Sequence, residues 1–202
     1  MAKKTKKSTW GLSSLAWFVS RIFDPVIEIP LLLSASVLYA LRNGMRYRYL
    51  VFLLLIDALA PAAFLVWGLV CKKFSDWDMT RREERWSIYV FTVIMHLFGV
   101  VYAFMLGKEE LSEILFVFWL VALVFAITTM FWKISVHAGV NGAAVAFFNH
   151  FWGWQNYWWL LIVLLIVLWA RVKIHKHSWG QVLIGGSAAL VMVEFGLRLV
   201  GR

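Results

Sequence analysis

The sequence predicts an all-α integral membrane protein, a bundle of six to seven transmembrane helices. Of its 202 residues, 62% are hydrophobic, and the mean hydropathy is +0.77, whereas a soluble domain is about 45–50% apolar. Several windows of about 18 or more residues carry almost no charge, which is typical of membrane-spanning helices. Thirteen tryptophans and six tyrosines fit the aromatic belts at the two membrane interfaces.

The chain divides into a basic N-terminal region, residues 1–24, and a transmembrane domain, residues 25–202. In the first region, residues 10–23 predict a short amphipathic helix in the interface. The apolar segments of the domain are 25–43, 47–71, 86–106, 111–131, 136–152, 156–171 and 180–199. The fifth and sixth are short for a complete span, so the sequence leaves six or seven crossings open.

Hairpin topology brings four polar stretches to one face of the membrane: the N-terminus and residues 72–86, 133–137 and 171–177. Fourteen Lys and Arg residues lie on this face and six on the other. Because cytoplasmic loops are enriched in Lys and Arg, this face is predicted to be cytoplasmic, in a prokaryotic inner or plasma membrane. The net charge of +9 is explained by basic loops facing anionic lipid, so no nucleic-acid partner is expected.

Three of these stretches offer cations, histidines and a hydroxyl. The residues are Arg81, Arg82, Arg85, Lys133, Ser135, His137, Arg171, His175 and His177. Guanidinium groups match phosphate oxygens in bidentate fashion. A neutral imidazole can attack phosphorus, and a second one can protonate the leaving oxygen. Carboxylates are scarce here, so the predicted mechanism uses neither a metal nor another cofactor.

The same residues resemble the three signatures of the type 2 phosphatidic acid phosphatases over roughly residues 78–185. "ARVKIHKHSWGQVLIG" keeps Arg171, His177 and Gly185 at the spacing of the last signature. "ISVH" keeps Ser135 and His137 of the second, and "DMTRREERW" keeps Arg85 of the first.

The resemblance implies a membrane lipid phosphatase that hydrolyses a phosphate monoester or diphosphate. Candidate substrates are phosphatidic acid, phosphatidylglycerol phosphate and a polyprenyl diphosphate. His177 would be the nucleophile that forms a phosphohistidine, and His137 would protonate the leaving alcohol. Arg85, Ser135 and Arg171 would bind the phosphoryl oxygens. Where this chain lacks a cation of the family, Lys133 or Arg82, which lie nearby in sequence, would make up the missing positive charge.

The chain departs from the family at three informative positions: Asp78 replaces a lysine, Trp86 a proline and Gln181 the aspartate behind the nucleophile. The amide of Gln181 can hold the tautomer of His177 but stabilises an imidazolium poorly. We therefore expect a slow enzyme, in which Gln181→Asp preserves or raises activity.

Two other functions stay open from the sequence. The first is a degenerate relative that binds lipid phosphate without hydrolysis. The second is a small transporter built on Asp57, an intramembrane carboxylate that could pair with an arginine. The polar loop has an alternative interpretation as a solvated helix with an Asp78–Arg82 ion pair. His96 and His150 are expected to be packing histidines.

Overall fold

The computed structural model describes residues 10–41 and 46–200; it is 84% helical, and this part of the chain contains no β-strand. The α-helices are α1 (Trp10–Ile22), α2 (Pro25–Ala40), α3 (Arg46–Leu53), α4 (Ala60–Val70), α5 (Arg85–Met105), α6 (Glu109–Phe131), α7 (Val136–Trp152), α8 (Trp154–Tyr157), α9 (Leu160–Lys173) and α10 (Trp179–Val200). A π-helical segment, Leu54–Leu59, joins α3 to α4, and a 3₁₀ turn, Arg82–Glu84, precedes α5.

The predicted fold class is confirmed: the described residues form an all-α bundle with five helical runs long and apolar enough to cross a membrane. These runs are Gly11–Ala40, Arg46–Val70, Arg82–Met105, Glu109–Phe131 and Trp179–Val200. Helices α7 and α9 have 17 and 14 residues, matching the two segments that the sequence marks as short. Each predicted apolar segment therefore corresponds to a helix or a helix pair.

Local chemistry fixes the starts of the helices that carry the site. The Asp24 side chain accepts a hydrogen bond from the Val26 N–H, and Pro25 occupies the first turn of α2, where a missing N–H costs nothing. The Ser135 side chain caps α7 in the same way through the Ala138 N–H. Asp24 and Ser135 thus place the beginnings of α2 and α7 at the same end of the bundle.

Helix α7 lies at the centre, against α2, α9 and α10. Its closest approach is to α10, where a Cβ added to Gly142 would lie 2.2 Å from the Gly186 carbonyl oxygen. Small residues let helix backbones pack this closely in a membrane protein. The contact brings the residues that precede α7 next to those that begin α10.

Helix α1 packs along α9, as an extension of the bundle. Its own orientation relative to a membrane stays a prediction, and residues 1–9 lie outside the described part. The consequence for the site is that Ser20 and Arg21 reach the C-terminal end of α9, where Arg171 lies.

Candidate phosphate site

Four of the residues singled out by the sequence line one cavity at one end of the bundle: Arg85, His137, Arg171 and His177. We call this end, formed by residues 76–81, 132–135, 174–178 and the turn between α1 and α2, the loop end. All four side chains belong to buried residues. The expectation that separated stretches converge at one end is confirmed.

Arg171 is held rigidly, and one of its nitrogens is left without a partner. Arg171 as a whole is 1% exposed. Nη1 donates to Ser20 Oγ at 2.7 Å and to Asp78 Oδ1 at 2.8 Å, and lies 3.4 Å from His137 Nε2. Nε is buried and has no hydrogen-bond partner in the described part of the chain. Because buried N–H groups are nearly always paired, this donor is available for a ligand.

Arg85 is a buried cation without a carboxylate partner in residues 10–41 and 46–200. Nε donates to the Met79 carbonyl at 2.8 Å, Nη1 to the Ile134 carbonyl at 3.2 Å and Nη2 to the Asp78 carbonyl at 3.4 Å. No carboxylate oxygen of the described Asp and Glu residues lies within 4.0 Å of the Arg85 guanidinium nitrogens. Backbone carbonyls orient the guanidinium but do not cancel its charge, so the site attracts an anion.

His177 is a neutral base with a fixed tautomer. The Gln181 Oε1 atom accepts from the Ser178 N–H at 3.1 Å and lies 3.2 Å from His177 Nδ1. An oxygen only accepts, so Nδ1 carries the hydrogen and Nε2 keeps its lone pair. Burial, followed by the nearby cations Arg171, Arg85 and Lys133, lowers the pKa of His177 to about 3. The ring is therefore uncharged at neutral pH.

His137 lies beside a carboxylate that sequence reasoning did not assign to the site. Asp24 Oδ2 is 3.6 Å from His137 Nε2. The same oxygen accepts from Arg21 Nη1 at 3.1 Å and from Trp77 Nε1 at 3.2 Å. Asp-Pro at positions 24 and 25 does signal a helix start, but only the packing of α2 on α7 shows that the capping residue faces His137.

The Asp78 carboxylate lies within ion-pair distance of three cations, and Arg82 is not one of them. Its carboxylate lies 2.8 Å from Arg171 Nη1, 2.7 Å from Arg21 Nη2 and 3.4 Å from Lys176 Nζ. Burial raises the pKa of Asp78, but these cations outweigh that effect and hold the pKa well below its usual range. The alternative interpretation of this loop is wrong about the Asp78–Arg82 pair, because residues 72–81 form no helix and Asp78 pairs with Arg171. Its solvated side chains are confirmed, since those of Arg81 and Arg82 are 74% and 43% exposed.

Three other predicted site residues do not line the cavity: Lys133, Ser135 and Gln181. The Ser135 hydroxyl caps α7, and Gln181 acts on His177 from behind. Burial, with Arg85, Lys176 and Arg171 nearby, lowers the pKa of Lys133, which places this ammonium beside the cation cluster. These residues surround the four that face the cavity.

The histidines expected to be packing residues have partners in the described part. His96 Nε2 lies 3.0 Å from the Leu115 carbonyl, and His150 Nδ1 lies 3.6 Å from Glu194 Oε2. The expectation that Asp57 pairs with an arginine is wrong, because its Oδ2 atom lies 3.1 Å from His96 Nδ1 instead. A histidine one helix away is the closer neighbour because the arginines gather at the helix ends.

The cavity has a volume of about 260 Å³. It extends from the loop end between α2, α4, α5, α6 and α7, and most of its walls are apolar. A charged mouth with an apolar interior suits an amphiphile. Among residues 10–41 and 46–200, no three His, Cys, Asp or Glu side chains are grouped as a metal site would require.

No protein-family model, curated protein or solved structure matches this chain in the three comparisons that we made.

Proposed function

We propose that this protein is a membrane lipid phosphatase that hydrolyses a phosphate monoester or diphosphate through a phosphohistidine. One observation carries the proposal: a buried, uncompensated Arg85 shares a cavity with His177, a neutral imidazole whose tautomer is fixed. An anion with an electrophilic centre satisfies the first residue and reacts with the second.

The reaction uses four side chains. The phosphoryl oxygens bind Arg85 and the unpartnered Nε of Arg171. The lone pair on His177 Nε2 attacks phosphorus, a P–N bond forms, and the P–O bond to the lipid breaks. His137 gives its proton to the leaving oxygen. Water then attacks the phosphohistidine, returns a proton to His137 and releases inorganic phosphate.

Charge is distributed unevenly between the two histidines. Burial is the largest influence on His137 and lowers its pKa. Asp24, 3.6 Å away, acts in the opposite direction and favours the imidazolium form that protonates the leaving group. Only a neutral amide lies behind His177, so the positive charge that develops on that ring is not offset. Loss of a carboxylate in an analogous triad reduces the rate by up to about 10⁴-fold. The proposal therefore includes slow turnover.

Phosphate release by purified protein on a panel of lipid phosphates tests the proposal. We expect release from at least one substrate, persisting in EDTA. His177→Ala should abolish it. The matched control is His175→Asn, because His175 is exposed and has a φ of +59°, which asparagine tolerates. Release that persists in His177→Ala would refute the assigned nucleophile.

A second function, binding of lipid phosphate without hydrolysis, is favoured by Gln181 and by the carboxylate that already occupies Arg171. It predicts saturable binding of a lipid phosphate and no phosphate release by the unmodified protein. The turnover panel separates it from the enzyme.

The basic asymmetry of the loops supports a cytoplasmic location for the loop end. Cys71 is exposed and must be replaced before labelling. A single cysteine in place of Ser75 should then resist an impermeant thiol reagent in intact cells. Rapid labelling from outside would show that the loop end faces away from the cytoplasm.

A further inference from the structure

A second polar pair, Asp57 and His96, lines the same cavity inside the bundle. The Asp57 side chain is 1% exposed. Its Oδ2 atom lies 3.1 Å from His96 Nδ1, within ion-pair distance, whereas Oδ1 accepts no hydrogen bond from the described residues. Burying an acceptor without a donor is unfavourable, and an intramembrane ionisable residue is a sign of function. We call these two residues the inner pair.

The backbone around the inner pair is adapted to hold it. Asp57 lies in the π-helical segment Leu54–Leu59, a rare form that is frequent at functional sites. On α5, a Cβ added to Gly99 would lie 2.8 Å from Asp57 Oδ2. Glycine therefore makes room for the carboxyl group one turn beyond His96.

The inner pair is neutral as a whole. A carbonyl only accepts, so the contact between His96 Nε2 and the Leu115 carbonyl places a hydrogen on Nε2. Nδ1 then faces Asp57. A lone pair opposite a carboxylate at 3.1 Å would be repulsive, so one proton resides between ring and carboxyl. A neutral pair suits an uncharged donor, because an ammonium would bring an uncompensated charge into an apolar cavity.

The inner pair lies at a defined depth below the phosphate-binding residues. Arg85 and His96 are eleven residues apart on α5, which corresponds to about 16 Å along the helix axis. Apolar side chains, among them Ile88, Val93 and Phe125, line the cavity that both ends share. That length is on the order of a dozen methylene groups.

We propose that the inner pair is a second binding site, which takes a hydroxyl group on the tail of the lipid phosphate held at the loop end. The hydroxyl donates to Asp57 Oδ1, the carboxyl oxygen that faces no donor among the described residues. The chemical class of ligand is a phosphorylated amphiphile with a hydroxyl about 16 Å from its phosphate. This inference rests on the proposed function only in assuming that the headgroup of the ligand is a phosphate.

The test measures binding rather than turnover. Alkylphosphonates of about eight to about sixteen carbons, bracketing the helix-derived length, are prepared with a terminal methyl, hydroxyl or ammonium group. Their dissociation constants are measured by calorimetry on the full chain in detergent. At the length that reaches the inner pair, the hydroxyl form should bind about tenfold more tightly than the methyl form. Shorter chains should show no preference.

Two variants locate the effect. Asp57→Leu should abolish the preference for hydroxyl. Thr92→Val, which also removes a polar group from the cavity wall, should keep it because the Thr92 hydroxyl already bonds to the Ile88 carbonyl. If Asp57→Leu does not fold, the comparison of the three probes on the unmodified protein decides alone.

Equal affinities for methyl and hydroxyl probes at every length would overturn the inference, as would a complete absence of binding. Tighter binding of the ammonium probe would overturn the neutral pair. The outcomes for the two proposals are separable: a hydroxyl preference without phosphate release from lipid phosphates would refute the enzyme and keep this site.

Discussion

The two ends of the cavity differ in how many cations surround their buried carboxylates. At the loop end, Asp78 contacts cations from three separate parts of the chain, Arg21, Arg171 and Lys176. Inside the bundle, Asp57 has only His96 within ion-pair distance among the described residues. Several loops and helix ends meet at the membrane surface, so charges find partners there, whereas a mid-membrane position has only the neighbouring helices. The difference shows that a buried carboxylate can be structural at one end and available for a ligand at the other.

The largest effect should come from removing the reactive base of the loop end. His177→Ala should reduce phosphate release by at least about 10³-fold, because the variant lacks the Nε2 lone pair that attacks phosphorus. Single-turnover phosphate release measures this. A loss of less than tenfold would place the chemistry elsewhere in the cavity.

Removing a paired carboxylate should destabilise the fold. Asp78→Asn leaves the Arg171 guanidinium, 1% exposed, without its counterion, and breaking a buried pair costs about 3–5 kcal/mol. The free energy of unfolding in detergent measures this. The control is Glu83→Gln, whose side chain is 76% exposed and lies 3.9 Å from Arg82, and which should change stability by less than about 1 kcal/mol. Equal losses in the two variants would show that Asp78 is not structural.

Restoring a charge behind His177 should raise activity. Gln181 Oε1 already touches the ring, and glutamate has the same length, so Gln181→Glu places a carboxylate oxygen where the amide oxygen now lies. We expect an increase on the order of tenfold to a hundredfold in the phosphorylation step. The shorter Gln181→Asp should give a smaller gain. A fall in rate with Glu, in protein of unchanged stability, would contradict the nucleophilic role of the ring.

The depressed pKa of His177 should appear in the pH dependence of stability. Above its ordinary pKa of 6.5 the ring is neutral in both folded and unfolded chains, so it adds no slope. Below 6.5 the unfolded chain binds a proton that the folded chain refuses down to a pKa of about 3. The free energy of unfolding should therefore fall between pH 6.5 and 3, by at most about 1.4 kcal/mol per pH unit.

Comparison with His177→Gln isolates this slope, because the glutamine variant lacks the titrating ring. Asp78, with a pKa below its usual range, stays ionised over most of the window. Identical slopes in the two proteins would show that burial does not keep the ring neutral.

The smallest effect should come from the inner pair. Asp57→Asn should change the free energy of unfolding by less than about 1 kcal/mol. Among the described residues Oδ1 has no hydrogen bond to lose, and the asparagine amide can donate to His96 Nδ1 in place of the shared proton. Measured beside Asp78→Asn, this variant tests the contrast between the two ends directly. A loss as large as that of Asp78→Asn would show that Asp57 is structural as well.

The transmembrane helices could be predicted from the sequence because long apolar runs are a local property of the chain. The partners of the polar residues could not. The resemblance to the phosphatase signature predicted that position 181 faces His177, and Gln181 Oε1 lies 3.2 Å from His177 Nδ1. Helical spacing paired Asp78 with Arg82, but in the folded chain Asp78 pairs with Arg171 instead.

What the sequence determined by itself is the membrane bundle and the gathering of cations and histidines at one end, because both follow from hydropathy and from hairpin topology. Only the tertiary structure decided which charges cancel. Asp24 faces His137 because α2 packs on α7, and Asp78 reaches Arg171 because its loop folds over the end of α9. Arg85 is held by backbone carbonyls and by the Tyr89 side chain. These contacts join residues far apart in sequence, and no periodicity in the chain specifies a distance between helices that are not neighbours.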